Sequence, residues 1–269
     1  MRSLFATVVV LSATVAPVAA QYATPRPLPR TTSAPALRAL AIHREIEERF
    51  AIGLRALANG DNAAAAGEFE RIVALRPGEP QGSTARYDLA IAYANAGRNA
   101  EAAAQLRAAL ALDPGFLAAM ANLVSVDLAL GNLDEARRTA DRYVAIAPDA
   151  ARALYARGIV ALHQGDAAAA RADFGKLLHV NPSYALAHYD LALAEEQMGR
   201  YDAALRELEV AVTLAPNYAR ARFALGVVLL RQGRRADARQ TLQRAASDAA
   251  GDAALANLAT ALRDSIRTP

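Results

Sequence analysis

Between Tyr189 and Pro216 the chain reads YDLALAEEQMGRYDAALRELEVAVTLAP, and its apolar positions change phase once, at Gly199. Leu191, Ala192 and Leu193 predict a short helix that ends at Gly199, because a residue without Cβ enters the left-handed turn a tight helix–helix joint requires. Ala203, Ala204, Leu205, Leu208, Ala211, Val212 and Leu214 then fall three and four apart, the spacing of one apolar face of a second helix. Pro216 stops that helix, since it lacks an N–H and its ring clashes with the preceding turn. The same punctuation recurs along the chain. Gly60, Gly97, Gly131, Gly165, Gly199 and Gly233 are separated by 37 residues and then by 34 four times over. Pro77, Pro114, Pro148, Pro182 and Pro216 keep those gaps, as do Ala65, Ala102, Ala136, Ala170, Ala204 and Ala238. Three residue types in one register predict six helical hairpins.

Numbered from Ile46, Ser83, Leu117, Ala151, Ala185 and Ala219, each unit has a small residue at its eighth place in five of six cases, Gly at the fifteenth, Ala at the twentieth and, in the first five, Pro at the thirty-second. This pattern resembles the tetratricopeptide repeat family. The resemblance implies an all-α fold: a right-handed superhelical solenoid of six helix-turn-helix repeats over residues 36–250, with a C-terminal capping helix and tail over 251–269. The eighth places (Gly53, Ala90, Val124, Gly158, Ala192, Gly226) are expected to face the twentieth-place alanines, with Phe69, Leu106, Phe174, Leu208 and Leu242 at the twenty-fourth filling the space beside them. Repeat three exchanges volume, with Val124 at the small position and Ala140 at the large one. The joint from Pro77 to Gly82 is three residues longer than the others and reads as a surface insertion.

Ahead of the repeats, Met1-Arg2 and the apolar run Leu4 to Ala16 lead to Pro17 and Val18-Ala19-Ala20, which reads as a signal peptide over 1–20. The run is shorter than the ~20 residues a bilayer span needs. Residues 21–35 hold Pro25, Pro27, Pro29 and Pro35 with Arg26 and Arg30, the composition of an extended linker. From Ala36 the spacing turns helical, so the first repeat's helix begins early and covers that end of the stack. Localisation is therefore expected to be periplasmic or secreted.

Charge and composition narrow the function. Thirty basic against 27 acidic residues give a net +3, too balanced for phosphate recognition, so nucleic acid is not an expected partner. The chain has no Cys, which excludes disulfides and thiolate sites. His43, His163, His179 and His188 show no metal-ligand spacing; His163 and His188 read as structural, and neither a metal nor a cofactor is expected. No nucleophile elbow or phosphate loop occurs, so the chain is read as not an enzyme. Asp127 and Glu195 stand at eleventh places where the family usually has an aromatic, and Arg157 is equally out of character. A buried carboxylate requires a partner, and an Asp127–Arg157 bridge between neighbouring repeats is the expected arrangement. Glu196 and Gln197 read as solvated.

The resemblance places the first helix of each repeat on an inner face. Fifth places carry Phe50, Tyr87, Ala121, Tyr155, Tyr189 and Phe223; ninth places carry Leu54, Ile91, Ser125, Ile159, Leu193 and Val227. Lys and Asn, with which chaperone-binding members of the family grip a C-terminal carboxylate, are missing at these places. The expected peptide-binding residues are Tyr87, Ile91, Tyr155, Ile159, Tyr189, Leu193 and Phe223, flanked by Arg152, Arg220 and Arg231, which favour a ligand with acidic groups beside its apolar anchors. The implied function is a non-catalytic protein-interaction scaffold of the bacterial cell envelope with a protein or peptide partner. An assembly factor for an envelope enzyme or secretion machine is the first alternative, and a hydrolase with a dispersed site the second.

Overall fold

The computed structural model describes residues 33–75, 80–249 and 251–266, and among these the chain forms thirteen α-helices and no strand. The expected signal peptide, residues 21–32 of the linker and residues 77–79 of the long joint lie outside the described residues. No described helix is long and apolar enough to cross a membrane.

The chain divides into two compact units, Met1–Thr139 and Ala140–Pro269. The first holds α1 (Ala34–Ala58), α2 (Asn62–Ala74), α3 (Gln81–Asn95), α4 (Asn99–Leu112), α5 (Leu117–Leu130) and the start of α6 (Leu133–Ile146). The second holds the rest of α6, α7 (Ala151–Gln164), α8 (Ala167–Val180), α9 (Ala185–Gln197), α10 (Tyr201–Leu214), α11 (Ala219–Arg231), α12 (Arg235–Asp248) and α13 (Ala253–Ser265). Odd-numbered helices up to α11 are the first of each hairpin. Ala34 and Pro35, assigned from composition to the linker, stand instead in the first turn of α1, where Ser33 caps the helix by accepting from the Ala36 N–H. Proline is tolerated there because the first-turn N–H groups have no intrahelical partner.

The recurrent glycines do what the pattern requires: all six have φ between 73° and 77°, and Gly131 and Gly165 end α5 and α7 in the left-handed conformation. Asp61, Asp166 and Asp252 cap the following helices through their carboxylates. All six twentieth-place alanines are fully buried. A Cβ on Gly53, Gly158 or Gly226 would stand 2.7–2.8 Å from Phe69, Phe174 or Leu242, so the small residue makes room for the twenty-fourth-place side chain, as the spacing led one to expect. A full aromatic ring fills the hairpin only because nothing projects from the helix opposite. At the C-terminal end α13 packs on α12, and Leu229, Leu242 and Ile266 share an apolar cluster with Leu262.

Candidate functional site

In the second unit the fifth-place tyrosines are built into a buried polar and aromatic cluster. Tyr155, 8 % exposed, lies edge-on to Tyr184 at 5.6 Å, packs on Phe174 at 5.9 Å, and donates a 2.8 Å hydrogen bond from its hydroxyl to Asp190 Oδ2. Tyr189 pairs with Tyr218 at 5.2 Å. Burial pushes the Asp190 carboxyl up to about 7 against the opposing pull of the Tyr155 hydrogen bond. It likewise raises Tyr155, with the adjacent carboxylate adding to the shift, and pushes Tyr189 up to about 12.

The first unit repeats the register with other side chains. Tyr87 is buried against Phe116 at 4.9 Å, and its hydroxyl accepts a 3.2 Å hydrogen bond from Asn122 Nδ2. Phe50 lies 6.0 Å from Phe69, matching the distance and tilt of Tyr155 on Phe174. Asp88, the sixth-place counterpart of Asp190, is 8 % exposed, and burial alone pushes its carboxyl to about 7. A cleft of about 40 Å³ opens beside these helices, lined by Ile91, Asn95, Asn122, Ser125 and Val126 among others.

Of the expected binding residues, the structure therefore withdraws Tyr87 and Tyr155 from the surface: both are packing residues with bonded hydroxyls, and the expected exposed aromatic stripe is interrupted at them. Ile91, Ile159, Tyr189, Leu193 and Phe223 are half-buried. The flanking arginines share their charge with the protein's own acids. Arg220 stands 3.5 Å from Asp252, and Arg231 lies close enough to Glu196 to oppose the upward push of burial on that carboxyl. Arg152 is half-buried near Tyr184. Glu196 is half-buried rather than solvated, while Gln197 is exposed. Asp190, Tyr184 and Tyr218 were missed. Their signal was present, since aromatics recur at the thirty-fourth place (Phe116, Tyr184, Tyr218) and acids at the sixth (Asp88, Asp190).

The expected Asp127–Arg157 bridge does not form. Asp127, fully buried, receives Arg107 at 2.6 Å and Asn132 at 3.3 Å, whereas Arg157 forks onto Asp173 at 2.6 and 2.7 Å. Glu195 is bound by Arg171 at 2.7 Å. The twenty-fifth place of one repeat meets the eleventh of the next: Glu70 accepts from the Tyr93 hydroxyl at 2.7 Å where, one repeat on, Arg107 meets Asp127. An acid at the eleventh place is thus answered by the preceding repeat's second helix. His188 has both ring nitrogens bonded, to Glu207 at 2.7 Å and to the Pro182 carbonyl at 2.9 Å, as a structural histidine should; His163 is exposed. Among the described residues no group of three or more His, Asp or Glu is placed to hold a metal ion.

Three family models, each described as tetratricopeptide repeat, match the chain at 95–158 and 196–262, at 50–115 and 164–219, and at 151–172. Together they run without a gap from 50 to 262. No curated protein sequence matches it significantly. Among solved structures, a tetratricopeptide repeat protein from Parabacteroides merdae is similar at 19% identity and a TM-score of 0.68, covering 84% of this chain and 94% of that one. The APC/C hetero-tetramer Cut9–Hcn1 has a chain similar at 21% identity and 0.68, covering 82% of this chain and 43% of that one. MamA from Desulfovibrio magneticus is similar at 17% and 0.57, covering 64% and 97%.

Proposed function

Because the chain belongs to the tetratricopeptide repeat superfamily, whose fold is a general protein–protein interaction scaffold, we propose that it is a non-catalytic scaffold of a bacterial cell envelope that holds a peptide segment of a partner protein against the first helices of its hairpins. The observation that carries this reading is the cleft beside Ile91. Its volume of about 40 Å³ suits a single side-chain group and falls far below the several hundred Å³ of a small-molecule site. Apolar Ile91 and Val126 adjoin the amides of Asn95 and Asn122 there. An amide both donates and accepts, which is what the backbone of an extended peptide asks of a groove. The second unit by itself offers half-buried apolar surface at Ile159, Tyr189, Leu193 and Phe223, and Arg152, Arg220 and Arg231 favour acidic groups in what it binds. That a similar chain belongs to a hetero-tetramer supports a partner-binding role. The envelope location rests on the signal-like start and Val18-Ala19-Ala20.

The test is to isolate a partner by pulldown from the envelope fraction and measure its affinity for variants. Ile91→Ala with Asn95→Ala is expected to weaken binding at least tenfold while circular dichroism stays helical. Undiminished affinity, with loss instead on changing the second helices, would move the site to the opposite face. N-terminal sequencing is expected to return Gln21; Met1 recovered from the envelope fraction would rule out cleavage.

A further inference from the structure

Asp88 and Asp190 occupy the same place in their repeats, yet only one has its partner built in. Tyr155 reaches Asp190 because its ring is held against Phe174, which aims the para-hydroxyl at the next first helix. Phe50 is held against Phe69 in the same way, and α1 meets α3 as α7 meets α9. The fifth-place ring of the repeat before Asp88 thus packs as Tyr155 does, but it carries no hydroxyl. Among the described residues no hydrogen bond or ion pair reaches the Asp88 carboxylate, although little of its surface remains open. Its oxygens keep some contact with water, so the carboxylate is an acceptor on offer to a ligand.

Asp88, Ile91 and Asn95 are three and seven residues apart on α3, which puts them on one face of the helix, and the latter two line the cleft. We propose that Asp88 receives an arginine or lysine side chain of the peptide bound at that cleft. The cation would meet the carboxylate through a charge-assisted hydrogen bond. This deepens the scaffold reading and rests on it: the first unit would select for a basic residue, while the arginines of the second unit favour acidic ones.

The test uses the immobilised full-length chain and a random heptapeptide display library. Enriched peptides are synthesised and their affinities measured for wild type, D88N, F50Y, D190N and the Ile91→Ala, Asn95→Ala double variant. F50Y supplies the missing hydroxyl and so competes for the carboxylate without removing it. The expected result is a class of peptides containing Arg or Lys that loses at least tenfold in affinity to D88N and to F50Y, changes less than twofold in D190N, and loses the same tenfold when its basic residue becomes norleucine. Peptides that respond to the double variant but bind D88N and F50Y as tightly as wild type would overturn this inference and leave the groove reading standing. If wild type enriches no peptide, the groove reading fails and this inference falls with it.

Discussion

Tyr155 donates its hydroxyl to the Asp190 carboxylate at 2.8 Å across 35 residues of sequence, and Phe50 and Asp88 hold the same fifth and sixth places in repeats one and two. Phe50 lacks the one atom with which Tyr155 bonds Asp190.

Phe50→Tyr is therefore expected to stabilise the protein by about 1 kcal/mol, the net worth of one buried hydrogen bond. Tyr155→Phe is expected to destabilise it by about 1–3 kcal/mol, because Asp190 is left without its donor. Urea denaturation measures both; an F50Y midpoint below wild type would mean that the two rings are not equivalent.

The two acids also set a pH dependence. Both carboxyls rise from an ordinary 3.8 to about 7 on folding, so the native state favours their protonated forms. Their contribution is fully present below about pH 4 and is lost as pH climbs towards 7, the unfolded chain releasing its protons first. Asn has nothing to ionise. D88N is expected to gain on wild type between pH 5 and pH 8 in urea midpoint, and taking the difference cancels the Asp190 carboxyl, which is common to both proteins. A constant difference across that range would show that Asp88 is ionised throughout.

Arg107→Ala strips the cation from fully buried Asp127 and is expected to cost about 3 kcal/mol, part of which Asp127→Asn recovers in the double variant. Arg157→Ala is expected to couple with Asp173→Asn and to be additive with Asp127→Asn. Double-mutant cycles on thermal or urea unfolding decide both, and strong Asp127–Arg157 coupling would contradict the pairing described.

Gly158→Ala is expected to cost about 1–3 kcal/mol, since the new Cβ would meet the Phe174 ring at 2.7 Å. Adding Phe174→Leu is expected to relieve much of it, because repeats with Ala at this place, Ala90 and Ala192, carry Leu106 and Leu208 opposite. A single variant as stable as wild type would show that the ring yields freely.

What the sequence determined by itself is the local grammar: hairpins turned at Gly97 or Gly131, buried faces marked by Ala102 or Ala204, and a closing helix after Asp252. These follow from φ preference, side-chain volume and helical period, which act within a few residues and repeat without regard to neighbours. The tertiary structure alone decided which side chains meet between repeats. Asp127 found Arg107 and not Arg157; Tyr87 and Tyr155 turned inward to bond Asn122 and Asp190. The register states that the twenty-fifth place meets the next eleventh, and the fifth meets the next sixth, only once the helices are stacked. A buried charge is then governed by whichever donor lies within hydrogen-bond reach, and residues 16 to 35 apart in sequence come within that reach only in the packed fold.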